Sequence, residues 1–413
     1  MKPRHRIACL LFVLLSPGPA AADEKNDGFV PMFNGRDLSG WVNVNCAPGT
    51  FYVKDGEIIT TGKPTGYLRT TKQYENFIAE FDWMHVPPAR GAVGNSGFFV
   101  WADPIPAVGT GYTRGIEVQV LVNLTYRDKK TGAVTATSQG DLFSIWGATC
   151  VPDRPHPLGW QRCLPAQDHC KGANEWNHYR VEAIDGVLKL AVNGHVVSGL
   201  SECKPRKGYL ALESEGSECR FRNLKIKELP STNPKPDEIA DLAQGHQNLY
   251  TGLDLSGWEA DEKAIRHWQP RDTVLHHDGK GDGGHDGLRT AKAFGDAEFI
   301  VDFRFPAKGK KSMPCELFLR QSKEGDVKLT LTPDGQVVTT TGRGHSSAGM
   351  EFKPTGQWNR LRASLRGDEL SLTINGKGRL TRSLASAADS GALVLLPEGE
   401  MDFCNLFVRE LKK

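Results

Sequence analysis

The chain has 413 residues, which is too long for one ordinary hydrophobic core and suits two domains of about 150–200 residues each. Its formal net charge is +2, and basic residues form no block longer than a few, so the sequence does not favour a nucleic-acid partner. No apolar stretch reaches the length of about 20 residues that a membrane-spanning helix needs.

The N-terminus has the pattern of an export signal. Three basic residues precede an apolar run at 7–15, and small residues at 20–22 offer a cleavage site before Asp23. We therefore predict a signal peptide over residues 1–22 and a secreted or periplasmic protein.

The rest of the sequence repeats itself. Trp-Asn-His-Tyr-Arg at 176–180 recurs as Trp-Asn-Arg-Leu-Arg at 358–362, an offset of 182 residues. Phe-Ile-Ala-Glu-Phe at 77–81 recurs as Phe-Ile-Val-Asp-Phe at 299–303, an offset of 222. These matches predict two copies of one domain, the first with a net 40 extra residues (222 − 182).

The domain bounds follow from these matches and from composition. Copy one is predicted over 29–229, with an extra loop segment at about 101–175, and copy two over 246–411. A proline-rich stretch within 230–245 predicts the linker between them.

Both copies have the pattern of short strands joined by tight turns. Residues 77–83 alternate with a period of two, and Asn193-Gly194 is a strong hairpin signal that recurs as Asn375-Gly376. No segment shows a helical period over three turns. We predict an all-β chain of two tandem antiparallel β-sandwiches of the jelly-roll type.

Eight cysteines follow the signal peptide, six in copy one and two in copy two. Even numbers in an exported protein predict disulfides. Cys315–Cys404 is the one pairing possible within copy two, whereas the six cysteines in copy one allow fifteen pairings.

Neither the spacing of the cysteines nor the His- and Asp-rich stretch at 276–286 fits a standard metal pattern, so we predict no metal site.

A series of motifs in copy one resembles the 3-keto-disaccharide hydrolase family. They are Phe-Asn-Gly-Arg-Asp-Leu-Ser-Gly-Trp at 33–41, Asn-Ser-Gly at 95–97, Gly-Ile-Glu-Val-Gln-Val at 115–120, Glu-Trp-Asn at 175–177 and Phe-Arg-Asn-Leu-Lys-Ile at 221–226. The resemblance implies a concanavalin-like fold, akin to laminin-G and glucanase sandwiches. It also implies cleavage of glycosides whose sugar is oxidised at C3. Copy two keeps the scaffold matches only, which marks it as a degenerate copy.

Copy one departs from the family pattern at three positions. Trp101, Val122 and Glu213 stand where many members have Arg, Asp and Gln.

Glu117 and Gln119 are the first candidates for catalysis. They lie two residues apart on a predicted strand and so share a face, while Ile116, Val118 and Val120 form the opposite, apolar face. We expect the polar face to line a cleft in which Glu117 is a general base. The alternative interpretation is an ordinary solvated strand face.

Glu213 is the candidate partner carboxylate of Glu117, and its alternative interpretation is an exposed turn-flanking acid. Seven polar or aromatic residues are candidates for contact with sugar, although tryptophans also fill cores and Asn or Gly also form turns. They are Asn95, Ser96, Trp101, Asp103, Tyr112, Arg114 and Trp146.

The sequence therefore favours an exported enzyme that cleaves 3-keto-glycosides by removing the C2 proton and expelling the C1 substituent. The alternative is a non-catalytic, lectin-like carbohydrate-binding or adhesion protein. A carbohydrate is the expected partner in both hypotheses. No nucleotide cofactor is implied, because no glycine-rich phosphate loop is present, and a divalent cation such as calcium is compatible with the fold.

Overall fold

A computed structural model describes residues 27–281, 287–307, 309–342, 344–385 and 387–412. The predicted signal peptide lies outside these ranges. Within them the chain is all-β apart from two short 3₁₀ helices, Pro236–Glu238 and Ile265–His267. None of the helices described in these ranges is long and apolar enough to cross a membrane.

Copy one contains the first eighteen strands of the described chain. They are β1 (Val30–Pro31), β2 (Trp41–Val44), β3 (Phe51–Lys54), β4 (Glu57–Thr60), β5 (Gly66–Thr70), β6 (Phe77–Val86), β7 (Gly94–Ala102), β8 (Gly115–Val122), β9 (Tyr126–Arg127), β10 (Val134–Ala136), β11 (Gln139–Ile145), β12 (Thr149–Pro152), β13 (Arg162–Cys163), β14 (Asn177–Ile184), β15 (Val187–Val192), β16 (His195–Lys204), β17 (Tyr209–Ser214) and β18 (Glu218–Glu228).

These strands pair in an antiparallel manner to form a sandwich. The larger sheet has the order β12-β16-β15-β14-β6-β18-β4-β3, with β1 added to β18. The smaller sheet has the order β13-β11-β8-β7-β17-β5-β2, and β9 and β10 form a separate hairpin. A core of aromatic and aliphatic side chains, Trp83 and Phe81 among them, fills the space between the sheets.

Copy two repeats this plan with fifteen strands. They are β19 (Gln247–Asn248), β20 (Trp258–Glu259), β21 (Trp268–Arg271), β22 (Val274–Asp278), β23 (Leu288–Phe294), β24 (Ala297–Arg304), β25 (Cys315–Gln321), β26 (Val327–Leu331), β27 (Gln336–Thr341), β28 (Gly344–Gly349), β29 (Asn359–Arg366), β30 (Glu369–Ile374), β31 (Lys377–Ser383), β32 (Gly391–Pro397) and β33 (Glu400–Glu410).

The sheets of copy two are also antiparallel and enclose their own core. The larger sheet has the order β21-β22-β33-β24-β29-β30-β31, with β19 added to β33, and the smaller has the order β20-β23-β32-β25-β26-β27-β28. The predicted pair of antiparallel sandwiches is therefore confirmed.

The repeated Asn-Gly pairs form the predicted hairpin turns. Asn193 and Gly194 have φ values of 49° and 89°, and Asn375 and Gly376 have 53° and 71°. Two successive residues with positive φ match the right-handed twist of the strands on either side, and Asn and Gly tolerate this conformation best.

The structure corrects one detail of the repeat. Asp82 pairs with His178 in copy one, and Asp302 pairs with Arg360 in copy two, so Asp302 takes the position of Asp82 rather than that of Glu80. The sequence match of 77–81 with 299–303 is therefore two residues out of register. A shift of two keeps every side chain on its own face, so the hydrophobic pattern cannot detect it.

The two copies share an apolar contact. The outer face of the smaller copy-one sheet presents Tyr67, Phe99 and Ala211, which pack in one cluster with Ile300 and Phe407 of copy two. Because Glu117 is the register partner of Phe99, the same sheet face carries both this contact and the candidate catalytic residues.

Candidate active site

Three neighbouring strands bring the predicted carboxylates together. Glu117 lies on β8 and Glu213 on β17, and β7 lies between these strands with Gly97 on the same face. A Cβ atom on Gly97 would lie 3.1 Å from Oε1 of Glu117 and 3.0 Å from Oε2 of Glu213. The two side chains therefore converge over a residue that has no side chain of its own.

The environment of Glu117 favours its neutral form. Burial, followed by the nearby charge of Glu215, raises the pKa of Glu117 to about 8, and the positive charge of Arg162 opposes this rise. A carboxyl group with such a pKa can both accept and donate a proton near neutral pH.

Glu213 is more enclosed. Neither of its carboxylate oxygens has a hydrogen-bond partner among the described residues. Burial and the charges of Glu117 and Glu215 raise the pKa of Glu213 well above its usual range. Glu213 is therefore a neutral acid that lies beneath Glu117 and does not line the cavity described below.

A third carboxylate, Glu215, lies beside this pair and was not among the predicted site residues. Its Oε1 accepts a hydrogen bond from Tyr112 Oη at 2.8 Å, and its Oε2 accepts one from the amide of Asn95. Burial raises the pKa of Glu215, but these two donors favour its charged form. The sequence signal for Glu215 is its spacing of two residues from Glu213.

Arg162 supplies the positive charge of the site. Its Nε donates to Asp141 at 2.6 Å and its Nη2 to Gln119 Oε1 at 3.2 Å, while its guanidinium lies 3.9 Å from the centre of the Phe143 ring. Gln119 in turn donates to Asn95 Oδ1 at 3.0 Å. This chain of contacts fixes the polar groups around Glu117.

A cavity of about 690 Å³ opens above these residues. Its walls come from the hairpin β9–β10, from Trp160 and from Tyr112 and Trp146, whose rings stack 6.2 Å apart with an angle of 8° between their planes. Trp146 is 52% exposed. Exposed aromatic faces beside polar groups suit the binding of a sugar ring.

Much of the wall belongs to the segment that copy one has and copy two lacks. In copy one the hairpin β9–β10 lies between β8 and β11, whereas in copy two a short turn joins β26 directly to β27. The extra residues of copy one therefore build part of the cavity.

Copy two has lost the carboxylates as well. By strand register, Lys328 replaces Glu117, Glu316 replaces Gly97 and Leu396 replaces Glu213. Lys328 and Glu316 form an ion pair at this position. Copy two is thus a degenerate copy, as expected.

Of the seven predicted sugar contacts, three line the cavity and four do not. Asn95, Tyr112 and Trp146 line the cavity. Ser96 is buried beneath it and donates to the carbonyl of Glu213 at 2.8 Å.

The prediction for Trp101 was wrong. Its side chain is fully buried in the core of copy one, where Nε1 donates to the Glu75 carbonyl at 2.9 Å. Trp101 has a φ of 55°, and a β-bulge at this point turns the side chain from the outer face to the core.

Asp103 and Arg114 pair with each other rather than lining the cavity. Arg114 donates to both carboxylate oxygens of Asp103, at 2.8 and 2.9 Å, and Asp103 also accepts the backbone N–H of Asp241. Their role in the structure is to fasten the segment between the copies.

The predicted disulfides are absent, because all eight cysteines in the described ranges are free thiols. Cys315 packs inside the core of copy two, whereas Cys404 lies 3.9 Å from the carbonyl of Thr110 in copy one. The two side chains therefore point away from each other and cannot be bridged.

The described ranges contain no cluster of three or more His, Cys, Asp or Glu side chains that could hold a metal ion. His276, which lies on β22 in the His-rich stretch, instead contacts Asp402 on β33 at 2.7 Å. Residues 282–286 of that stretch lie outside the described residues.

Paired acids beside an aromatic wall, on the outer sheet face of a sandwich, suit a carbohydrate ligand. Residues 28–227 and 245–409 match the sequence profile of the 3-keto-alpha-glucoside-1,2-lyase-like domain. Because these two segments make up most of the chain, the protein belongs to this family, with one domain in each copy.

Several solved structures are similar to parts of the chain. A predicted glycosyl hydrolase from Parabacteroides distasonis ATCC 8503 is 24% identical over 51% of this chain and 98% of its own, with a TM-score of 0.39. A carbohydrate-binding module from Bacillus subtilis is 13% identical over 37% and 96%, with a TM-score of 0.31. The Bacillus licheniformis β-glucanase is 9% identical over 38% and 94%, with a TM-score of 0.32. No curated protein matches the chain.

Proposed function

We propose that copy one cleaves 3-keto-glycosides by elimination. The keto group at C3 acidifies the C2 proton, because its removal gives an enolate. The enolate then collapses to restore the C3 carbonyl, the C1–C2 double bond forms and the C1–O bond breaks. One proton leaves C2 and one is delivered to the departing oxygen, so the step is balanced without an oxidant. Addition of water to the double bond completes a net hydrolysis.

Glu117 is the base in this proposal and Glu213 is the acid. The observation that carries the proposal is the convergence of these two carboxyl groups over Gly97, both with raised pKa values. Such pairs in a cleft are characteristic of acid–base sites. Glu117 lines the cavity and takes the C2 proton, and the neutral Glu213, which lies beneath it and is 1% exposed, supplies the proton that reaches the leaving group through Glu117.

The substrate is held by the groups around this pair. The Tyr112–Trp146 stack offers an aromatic face for a sugar ring, and the amides of Asn95 and Gln119 hydrogen-bond to its hydroxyl groups. The Arg162 guanidinium, which lines the cavity and uses only two of its five N–H groups on Asp141 and Gln119, is the donor for a developing negative charge on the C3 oxygen.

The test is a panel of 3-keto-disaccharides and their unoxidised parents, incubated with the wild-type chain, Glu117→Gln and Glu259→Gln. Glu259 is exposed in copy two and remote from the cavity, so its variant is the matched control. Product release is measured together with exchange of the C2 hydrogen for deuterium in D₂O, which reports proton abstraction before the C1–O bond breaks.

We expect the wild type and Glu259→Gln to cleave only the keto forms. We expect Glu117→Gln to lose both exchange and cleavage by about 100-fold or more, and 100-fold is the lower end of the range for loss of one general base. Binding of a glycan without exchange or cleavage of any keto form contradicts the proposal and identifies the protein as a two-domain lectin.

A further inference from the structure

Copy two has a buried polar cluster on the outer face of its larger sheet. Asp302 is fully buried and binds Arg360 through two hydrogen bonds, of 2.6 and 2.8 Å. Asn405, on the neighbouring strand β33, donates to the same carboxylate at 2.7 Å. A buried charge needs such partners, so this trio is one connected unit.

The cluster binds a loop of copy one. Arg360 Nη2 donates to the carbonyl of Pro106 at 2.9 Å, and the Gly109 N–H donates to Asp302 at 2.8 Å. Asn405 Nδ2 lies 3.0 Å from the carbonyls of Ala107 and Thr110. Each group of the trio therefore contacts the backbone of the segment 106–110.

Gly109 makes this approach possible. A Cβ atom at this position would lie 2.1 Å from Cγ of Trp358 in copy two, and the φ of Gly109 is 74°. Both the close contact and the positive φ require glycine. The loop thus lies flat on the Trp358 ring while its carbonyls meet Arg360 and Asn405.

The clamped loop leads directly to the cavity. The Ala107 N–H donates to the carbonyl of Tyr112 at 2.9 Å, and the Tyr112 N–H donates to Thr110 Oγ1 at 3.2 Å. A Cβ on Gly111 would lie 2.5 Å from Cγ2 of Thr273, so copy two also touches the residue before Tyr112. Tyr112 then stacks on Trp146 and donates to Glu215.

The equivalent residues of copy one lie at the surface. Asp82 contacts His178 at 2.8 Å and Asn223 at 2.7 Å, in the same arrangement as Asp302 with Arg360 and Asn405. The side chains of Asp82 and His178 are 17% and 44% exposed, against 0% and 10% for Asp302 and Arg360. The same framework is thus solvent-accessible in one copy and covered by the loop in the other.

We propose that copy two is a positioning domain for the copy-one site: Asp302, Arg360 and Asn405 clamp the loop 106–110 and thereby fix Tyr112 against Glu215. The catalytic consequence of this clamp rests on the proposed function, whereas the clamp itself is testable without any substrate.

The test compares Asn405→Gly with Asn223→Gly in the full-length chain. Both asparagines have a positive φ, 48° and 55°, which glycine adopts readily, and both bind the aspartate of the adjacent strand. Of the two asparagines, Asn405 alone reaches the loop.

Hydrogen–deuterium exchange is measured over residues 104–113. We expect it to be about tenfold faster in Asn405→Gly than in the wild type, since about 1.4 kcal/mol of lost hydrogen bonding corresponds to that factor. We expect no change in Asn223→Gly.

A kinetic readout separates positioning from general loosening. If Tyr112 no longer donates to Glu215, Glu215 is protonated more readily and no longer raises the pKa of Glu117. In Asn405→Gly the rise of kcat/KM with pH therefore shifts to lower pH, and its plateau falls about tenfold as Tyr112 is misplaced.

Unchanged exchange over 104–113 in Asn405→Gly, or equal acceleration in both variants, overturns the clamp. Faster exchange with an unmoved pH profile overturns the positioning of Tyr112. If the wild type cleaves no keto-glycoside, the proposed function fails, and the exchange experiment still decides whether copy two clamps the loop.

Discussion

Glu117 and Glu213 flank Gly97 so closely that a methyl group on that glycine would lie about 3 Å from an oxygen of each carboxyl group. Two carboxylates this near to one another, and both enclosed by protein, do not ionise together at neutral pH. The pair is best regarded as one titrating unit, and its protonation links the stability of the protein to its activity.

The stability of the unliganded protein should fall as the pH rises from 5 to 9. Both carboxyl groups have folded-state pKa values above the ordinary value of glutamate, so the neutral forms favoured in the folded state are lost as the pH increases towards and beyond about 8. Glu213→Gln mimics the neutral form permanently. We expect its Tm at pH 9 to exceed that of the wild type by about 2 °C or more, since 1 kcal/mol corresponds to roughly 2–4 °C in a domain of this size.

The measurement is calorimetry at several pH values, with Glu259→Gln as the control for an exposed glutamate. Parallel pH profiles for the wild type and Glu213→Gln would contradict the raised pKa of Glu213.

Gly97→Ala should damage the site more than the fold. The added methyl group pushes the two carboxyl groups apart, and a misplacement of about 1 Å costs up to about 100-fold in rate. Overpacking of this kind destabilises by about 1–3 kcal/mol. Kinetics on a 3-keto-disaccharide and a denaturant melt measure the two effects. Gly49→Ala is the control, because a Cβ there meets no atom within 4 Å. Unchanged activity in Gly97→Ala would show that the two carboxyl groups do not need the space left by Gly97.

Substitutions of Trp146 and Trp101 should have opposite effects on KM and on the stability of the fold. Trp146→Ala removes an exposed ring from the cavity wall, so we expect KM to rise about tenfold with little change in Tm, because one aromatic contact contributes roughly 0.5–1.5 kcal/mol beyond area burial. Trp101→Phe removes a buried hydrogen bond to Glu75 and should lower the free energy of unfolding by about 1–3 kcal/mol with KM unchanged. Steady-state kinetics and denaturant melts distinguish these outcomes, and a raised KM in Trp101→Phe would restore it as a sugar contact.

Arg162 should set the pH at which the enzyme becomes active. Its charge lowers the pKa of Glu117, and Asp141 raises that pKa by a smaller amount. Arg162→Gln should therefore move the rise of kcat/KM to higher pH. The double variant Asp141→Asn/Arg162→Gln leaves no unpaired buried charge, and we expect a shift in the same direction but smaller. A shift to lower pH in either variant would show that Glu117 is not the titrating base.

The sandwich fold and the strand that carries Glu117 and Gln119 could be predicted from the sequence, because alternation with a period of two determines which side chains share a face. The prediction failed at Trp101, since a bulge interrupts that alternation and nothing in the local sequence marks its position. It also missed Arg162, which lies on β13, a strand of two residues that is too short to show any periodicity. The clamp at Asp302 depends on contacts between the copies, which repeat matching does not reveal.

The contact between the copies is heterologous: a loop of one repeat lies on the sheet face of the next. Such head-to-tail contacts do not close on themselves, and a third repeat placed before copy one would present its own loop to the face around Asp82. That face differs from its counterpart, because Arg222 stands in register with Asp82 where Cys404 stands in register with Asp302. The Arg222 guanidinium lies 3.8 Å from the ring centre of Trp176, the counterpart of the Trp358 ring on which Gly109 packs. Copy one thus places its own Arg222 side chain on the ring that corresponds to Trp358, so the two faces offer different surfaces to a loop.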